Sequence, residues 1–395
     1  MQFASRLDNV ETSAIRELFK LLGTPGIISF AGGFPDAAMF DVDGIRQAVD
    51  QALEIDPGSA LQYGATEGYG PLREQLAALM VGKGVQVDSQ ELIVTTGSQQ
   101  ALDLIAKTMI SPGDKVIMEG PTFLATIQCF RLYGADVVSA PIDADGVRVD
   151  ELEKLIILHR PKLIYLIPTF GNPSGAQLSL ARRKKVLELA VLHQVPVVED
   201  DPYGDLYFDR PPPPSLLALT ADVPGSRDWL IYCGSLSKIL SPGLRVGWLI
   251  GPPALLSRAT MCKQFSDAHT STFAQATAAQ YLQSGRMEAT LANVRAAYGR
   301  RASAMGDALR RELGDAITFT QPAGGLFFWA RLTGANGKIA DGNAFAKRAI
   351  EKKVAFVPGA PFFATNPDPA TLRLSFATAD VARIEEGVAR LGAAL

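Results

Sequence analysis

Between about residues 90 and 250, short apolar runs alternate with longer segments whose apolar residues recur at helical spacing. The runs are LIVTT (92–96), KVIME (115–119), DVVSAP (136–141), LIYLIP (163–168), VPVVED (195–200), WLIYCGS (229–235) and VGWLIG (246–251). They are nearly continuous in Val, Ile and Leu, the pattern of strands covered on both faces. Segments such as SQQALDLIAKTMI, DELEKLIILH and SLARRKKVLELAVLH stand between them and read as crossover helices. Regular strand–helix succession predicts an α/β fold: a mostly parallel seven-stranded sheet flanked by helices.

After residue 284 the pattern changes. Residues 285–313 form one long amphipathic helical stretch, followed by strand-like GLFFWARL, a helix over about 342–353, then VAFVPG, TLRLSFA and a last helix. This predicts a smaller α+β domain, which the N-terminal segment joins: 43–284 as the large domain, 1–42 plus 285–395 as the small one. The chain of 395 residues is long enough for two cores.

Composition narrows the partners. Lys and Arg total 38 against 41 Asp and Glu, a net charge of −3 with no basic patch, so neither nucleic acid nor a membrane surface is expected. No apolar stretch approaches a membrane span, and Cys129, Cys233 and Cys262 form no CxxC pair, which fits a reducing, cytoplasmic setting. His159, His193 and His269 are isolated, so no metal is expected.

Ligands of open α/β sheets bind beyond the carboxyl ends of the strands. There the polar residues collect: Gly97, Ser98 and Gln99; Asn172; Asp200 and Tyr203; Ser235, Ser237 and Lys238. Gly-Ser-Gln at a helix start is an anion site, or a simple N-cap. Asp200 leaves a buried strand and needs a cationic partner, whereas Asp201 reads as part of a solvated turn. A desolvated Lys238 beside Arg245 would be a usable amine nucleophile, although a surface lysine in a Ser-rich turn fits the local sequence equally well.

SLSKILSPGLRVGW (235–248) resembles the cofactor-lysine motif of fold-type I, pyridoxal-phosphate-dependent aminotransferases. QYGATEGYGPLRE, TTGSQQALDL, PTFLAT, GNPSG, EDDPYGDL and LRLSFA fall in that family's order, across essentially the whole chain. The stretch ETSAIRELFKLLGTPGIISFAGGFPD is similar to the 2-aminoadipate and kynurenine aminotransferase subgroup.

The resemblance implies pyridoxal 5'-phosphate as cofactor, with Lys238 as its Schiff-base lysine and proton carrier. Asp200 would pair with the pyridine N–H; Asn172 and Tyr203 would bond the phenolate oxygen; Phe123, where tyrosine is usual, would stack on the ring. Ser98, Gln99, Ser235, Ser237 and Arg245 would hold the phosphate, with Tyr63 of a neighbouring subunit, which implies a homodimer with shared sites. Arg373 would clamp the substrate carboxylate near Gly33 and Asn172, and Arg16 would either meet the distal end or side chain of the substrate or stand as a solvated arginine on the predicted N-terminal helix. Phe34, Phe123, Phe362 and the N-terminal segment would line the side-chain pocket.

The reaction implied is ping-pong transfer of an amino group from an L-amino acid, with a long aliphatic or aromatic side chain, to a 2-oxo acid such as 2-oxoglutarate. Decarboxylation, elimination or racemisation on the same cofactor would use the same site, but a carboxylate clamp favours transfer. SLSK also matches the SxxK of acyl-transfer enzymes, without their SDN and KTG companions. A ligand sensor would carry a DNA-binding extension before Glu11, where only a short stretch stands.

Overall fold

The computed structural model describes residues 1, 3–7, 26–334 and 340–395. After a two-residue strand, β1 (Ile28–Ser29), the next eight strands share one sheet. They are β2 (Leu92–Thr95), β3 (Lys115–Gly120), β4 (Asp136–Asp143), β5 (Gly146–Val147), β6 (Leu163–Leu166), β7 (Val197–Asp201), β8 (Leu230–Ser235) and β9 (Gly247–Ile250). Their order is β2-β9-β8-β7-β6-β3-β4-β5.

Pairings from β4 through β3, β6 and β7 to β8 are parallel, while β9 runs antiparallel to both β8 and β2. All seven expected strands are present. The eighth, β5, is a two-residue hairpin partner of β4, too short to leave a pattern in the sequence. The continuous apolar runs fall where both faces are covered: every residue of β2, β6, β8 and β9 is buried.

The chain leaves β3 toward β4 on one side and returns on the other as β6, so the connections diverge at the β3/β6 boundary. A crevice opens beyond the strand ends at such a switch point, and polar residues can meet there without interrupting the core.

The rest of the strands are β10 (Ile317–Phe319), β11 (Phe327–Leu332), β12 (Val354–Ala355), β13 (Val357–Pro358) and β14 (Thr371–Ser375). Four of them form an antiparallel sheet ordered β10-β11-β14-β13, and β12 pairs in parallel with β1. The helix Met287–Leu313 buries Leu291, Val294, Tyr298, Ala302, Met305, Leu309 and Leu313, a three-and-four spacing that lays one stripe against helix Val381–Gly392 and its neighbours. Each such Leu or Val contributes about 1.5–3 kcal/mol by leaving water.

The N-terminal segment is tied to this helix by polar contacts. Arg301 donates to Asp36 Oδ2 at 2.7 Å, and Tyr298 Oη accepts the Asp36 N–H at 3.1 Å. These bonds hold the stretch that carries Gly33 over the crevice. Among the described residues no helix is long and apolar enough to cross a membrane.

Candidate active site

The carboxyl ends of β2 and β8, with the turn leading into β9, form a cup. Gly97 takes φ +76°, a conformation open to glycine, and Ser98 begins the helix Ser98–Met109 directly after it. A Cβ on Gly247 would come within 2.6 Å of the Gly97 carbonyl carbon and 2.7 Å of Ser98 N, so the strand carrying it must be bare to lie beside this turn. Arg245 also has positive φ, +54°, and its Nη2 reaches the Thr96 carbonyl at 3.4 Å. Ser235 Oγ accepts the Ser237 N–H at 3.1 Å. The cup therefore combines helix-start N–H groups, hydroxyls and a guanidinium, the chemistry of an anion site.

Asp200 stands near the end of β7, 3% exposed. Tyr165, from the neighbouring strand β6, donates to its Oδ2 at 2.7 Å, and Thr126 Oγ1 donates to the Tyr165 hydroxyl at 3.1 Å. Among the described residues Asp200 Oδ1 has no hydrogen-bond partner. Burial raises the carboxyl to about 7, against the lowering pull of Tyr165, with Asp201 raising it a little further. The unanswered oxygen calls for a cationic N–H.

Lys238 lies in the turn after β8, and its Nζ donates to the Gly33 carbonyl at 2.9 Å. Burial, then the charges of Arg373 and Arg245, bring its pKa down to about 8. A substantial neutral fraction near physiological pH makes it a nucleophile and base. Tyr203 is buried, and desolvation holds its hydroxyl protonated far above neutrality.

Arg373 extends from β14 across to Asn172: its Nη1 donates to Asn172 Oδ1 at 2.9 Å and its Nη2 to the Ala31 carbonyl at 2.8 Å. The guanidinium lies against the rings of Phe327 (4.4 Å) and Phe362 (4.9 Å). Burial lowers its pKa to about 10, so it stays cationic. Its Nε is buried without a partner among the described residues.

One cavity of roughly 330 Å³ joins these groups: Ser98, Gln99, Ser235, Ser237 and Arg245 at one end, Asp200, Tyr203, Lys238 and Asn172 along it, Gly33 and Arg373 opposite. Phe34, Phe123, Leu124, Ala125 and Gln128 complete the wall. Twelve of the fourteen site residues expected from the sequence thus surround one space: of Ser98, Gln99, Phe123, Asn172, Asp200, Tyr203, Ser235, Ser237, Lys238, Arg245, Gly33, Arg373, Tyr63 and Arg16, all but the last two line it.

Tyr63 instead stands 86% exposed, its ring edge-on to His269 at 5.7 Å. Arg16 lies outside the described residues. Phe362 does not line the cavity; it is fully buried, covering the Arg373 guanidinium and packed on Trp329. Asp201 is no solvated turn residue either: it accepts the Tyr232 hydroxyl at 2.9 Å and the Gly204 N–H at 3.0 Å, which shapes the bend carrying Tyr203.

Sequence reasoning missed Tyr165, Gln128 and the backbone carbonyl of Gly33. Tyr165 sits inside the apolar run LIYL, where a tyrosine reads as core. Among the described residues no group of His, Cys, Asp and Glu could hold a metal ion.

An anion cup, an unanswered carboxylate oxygen and a lysine of lowered pKa on one cavity fit pyridoxal 5'-phosphate, which presents a phosphate, a ring N–H and an aldehyde. The profile for aminotransferase class I and II matches residues 27–391. A 2-aminoadipate transaminase of Thermus thermophilus is 42% identical over 395 residues, covering 100% of this chain and 96% of its own. An aromatic-amino-acid aminotransferase of Thermococcus litoralis is 38% identical, covering 98% and 93%. The crystal structure of the alpha-aminoadipate aminotransferase of Thermus thermophilus, complexed with N-(5'-phosphopyridoxyl)-L-leucine, superposes with a TM-score of 0.91 at 39% identity, covering 100% and 97%. The chain belongs to the class I and II aminotransferase family; it is a fold-type I enzyme that transfers amino groups with pyridoxal 5'-phosphate.

Proposed function

We propose that this aminotransferase takes the amino group of an L-amino acid with a long aliphatic or aromatic side chain and delivers it to a 2-oxo acid, with 2-oxoglutarate as acceptor. The observation that carries this reading is the single cavity with an anion cup at one end, Arg373 at the other and apolar Phe34, Phe123 and Leu124 on its wall. Two alternating half-reactions then share one set of groups.

Bound in the cavity, pyridoxal 5'-phosphate supplies an electron sink for the bonding electrons of the substrate Cα–H. Ser98, Gln99, Ser235, Ser237 and Arg245 would hold its phosphate, Asp200 Oδ1 would accept its ring N–H, and Asn172 and Tyr203 would bond its ring oxygen. Phe123, on the cavity wall, would pack on the ring.

Arg373, covered by Phe327 and Phe362, would hold the substrate α-carboxylate where little water competes for the guanidinium. Holding that carboxylate in place favours loss of the Cα proton over loss of carbon dioxide. Lys238 Nζ takes that proton and gives it back in the reverse half-reaction; the Gly33 carbonyl, 2.9 Å away, orients the amine while it is free. Its lowered pKa, about 8, lets it serve as base and then acid near neutral pH.

Tyr63, exposed at 86%, reaches the phosphate in a neighbouring subunit, which makes the working unit a homodimer with shared sites. Residues 43–284 act as one domain and 1–42 with 285–395 as the other, Arg373 and Gly33 coming from the second. Arg16 meets the far end of the substrate, and the protein works in the cytoplasm.

The test is a half-reaction screen. Purified protein should be yellow, and each amino acid in turn should be scored for loss of the visible band, with leucine-like and aromatic donors responding most. Lys238→Ala should lose turnover altogether; a fully active, colourless Lys238→Ala protein would sink the scheme.

A further inference from the structure

Lys263 belongs to none of the motifs above, yet its side chain has no exposed surface. It projects from helix Pro253–Gln264, and its Nζ donates to both Asp267 carboxylate oxygens (2.8 and 2.9 Å), to Gln100 Oε1 (3.1 Å) and to Thr270 Oγ1 (3.1 Å). A buried ammonium is costly even when paired, and an apolar residue of similar volume would usually serve stability as well. What the charge organises is therefore of interest.

Gln100 is the link. Its Oε1 also accepts the Thr96 N–H at 2.7 Å, and its Nε2 donates to Asp267 Oδ2 at 2.7 Å. Thr96 Oγ1 donates to the same carboxylate oxygen at 3.1 Å and lies 3.1 Å from Thr270 Oγ1. The carbonyl of Thr96 meets Arg245 at 3.4 Å. The residue immediately before Gly97 and Ser98 is thus gripped at its N–H, its hydroxyl and its carbonyl.

The cluster continues outward. Gln275 Nε2 donates to the Thr270 carbonyl at 2.6 Å while its Oε1 accepts the Tyr69 N–H at 2.8 Å, and Thr272 Oγ1 donates to the Gln62 carbonyl at 2.8 Å. The turn of the cup and the loop bearing Tyr63 are held from one buried centre.

We propose that Lys263 is a positioning residue for the cofactor phosphate: by fixing Gln100 and Asp267 it locks the Thr96–Gly97–Ser98 turn so that the helix-start N–H groups face the anion in a set geometry. This rests on the phosphate assignment proposed above. Lys263 also neutralises Asp267, and a pure charge effect would act without Gln100.

The experiment uses the full chain, stripped of cofactor and titrated by absorbance with pyridoxal 5'-phosphate or with pyridoxal, which lacks the phosphate. Lys263→Met should weaken pyridoxal 5'-phosphate roughly tenfold to a hundredfold, as loss of a supporting partner does at ligating sites, and leave pyridoxal nearly unchanged. Gln100→Leu, which alters no charge, should do the same to a smaller degree, and it decides the matter alone if Lys263→Met does not fold. Equal losses for both ligands, or a loss in Lys263→Met with none in Gln100→Leu, would overturn the proposal. If the unmodified protein holds pyridoxal as tightly as pyridoxal 5'-phosphate, the phosphate assignment itself fails.

Discussion

Arg245 stands exposed on a turn with φ +54° and touches the Thr96 and Pro242 carbonyls at 3.4 Å; Arg373, in the middle of β14, is 3% exposed, lies between two phenyl rings and donates hydrogen bonds of 2.8 and 2.9 Å. The first completes a cup whose other parts are backbone N–H groups and hydroxyls from the turns that follow β2 and β8. The second is a side chain desolvated against Phe327 and Phe362 and aimed across the cavity. A cup of many donors holds its anion by their sum, while a buried cation keeps its orientation whether or not its anion is there. The arrangement suits a resident phosphate at one end and a carboxylate that comes and goes at the other.

The largest effect that could break this comparison lies between the two arginines. Asp200→Asn should lower kcat by roughly 10²–10³-fold, the scale for losing one preorganised electrostatic partner. Its effect on the cofactor-free protein has the opposite sign. The folded carboxyl titrates at about 7 and the unfolded one near 3.8, so the folded state holds the extra proton in that window and loses stability as pH rises through it. Thermal melts of cofactor-free Asp200→Asn should therefore fall less between pH 4 and 8 than those of the parent; identical slopes would contradict the burial of this charge.

Next in size, Arg373→Lys should raise KM for amino acid and 2-oxo acid together by about 10–100-fold, because a lysine cannot present two parallel donors. Cofactor affinity should stay unchanged, and a matching loss of cofactor would mean that the two ends of the cavity are not separable. Arg245→Lys should do the reverse, weakening pyridoxal 5'-phosphate by roughly tenfold with KM little altered. Smallest, Tyr165→Phe removes the hydrogen bond that favours ionised Asp200. It should lower kcat by about tenfold or less and push the Asp200 carboxyl further up, read as a shifted pH profile.

The same contrast explains what could be read from the chain. Strands such as LIYL and LIYCGS announced themselves because both faces are covered, and polar residues at their ends could then be placed at one edge of a sheet. Asp200 and Lys238 were legible as charges leaving buried runs, and the cup was legible because each of its two halves, Ser98 with Gln99 and Ser235 with Ser237 and Arg245, directly follows the end of such a run. Arg373 was reachable through family resemblance alone: nothing local distinguishes it from any arginine in a strand. Tyr165 and Asp201 depend on pairing across the sheet, Tyr165 opposite Val198 and Asp201 opposite Gly234, which periodicity does not encode. Resemblance to the subgroup puts Phe362 in the pocket, but it does not say that the ring covers an arginine instead of facing the cavity. Lys263 sits in a helix with other polar residues and reads as solvated until its neighbours fold around it.

The exposure of Tyr63 has a bearing on how activity is measured. If a tyrosine that stands 86% bare serves the cup of a second chain, each active site is a product of association, and mass action governs how many sites exist. Specific activity then depends on protein concentration: diluted below the dissociation constant of the pair, the same number of chains carries fewer finished catalysts, and rate falls faster than concentration.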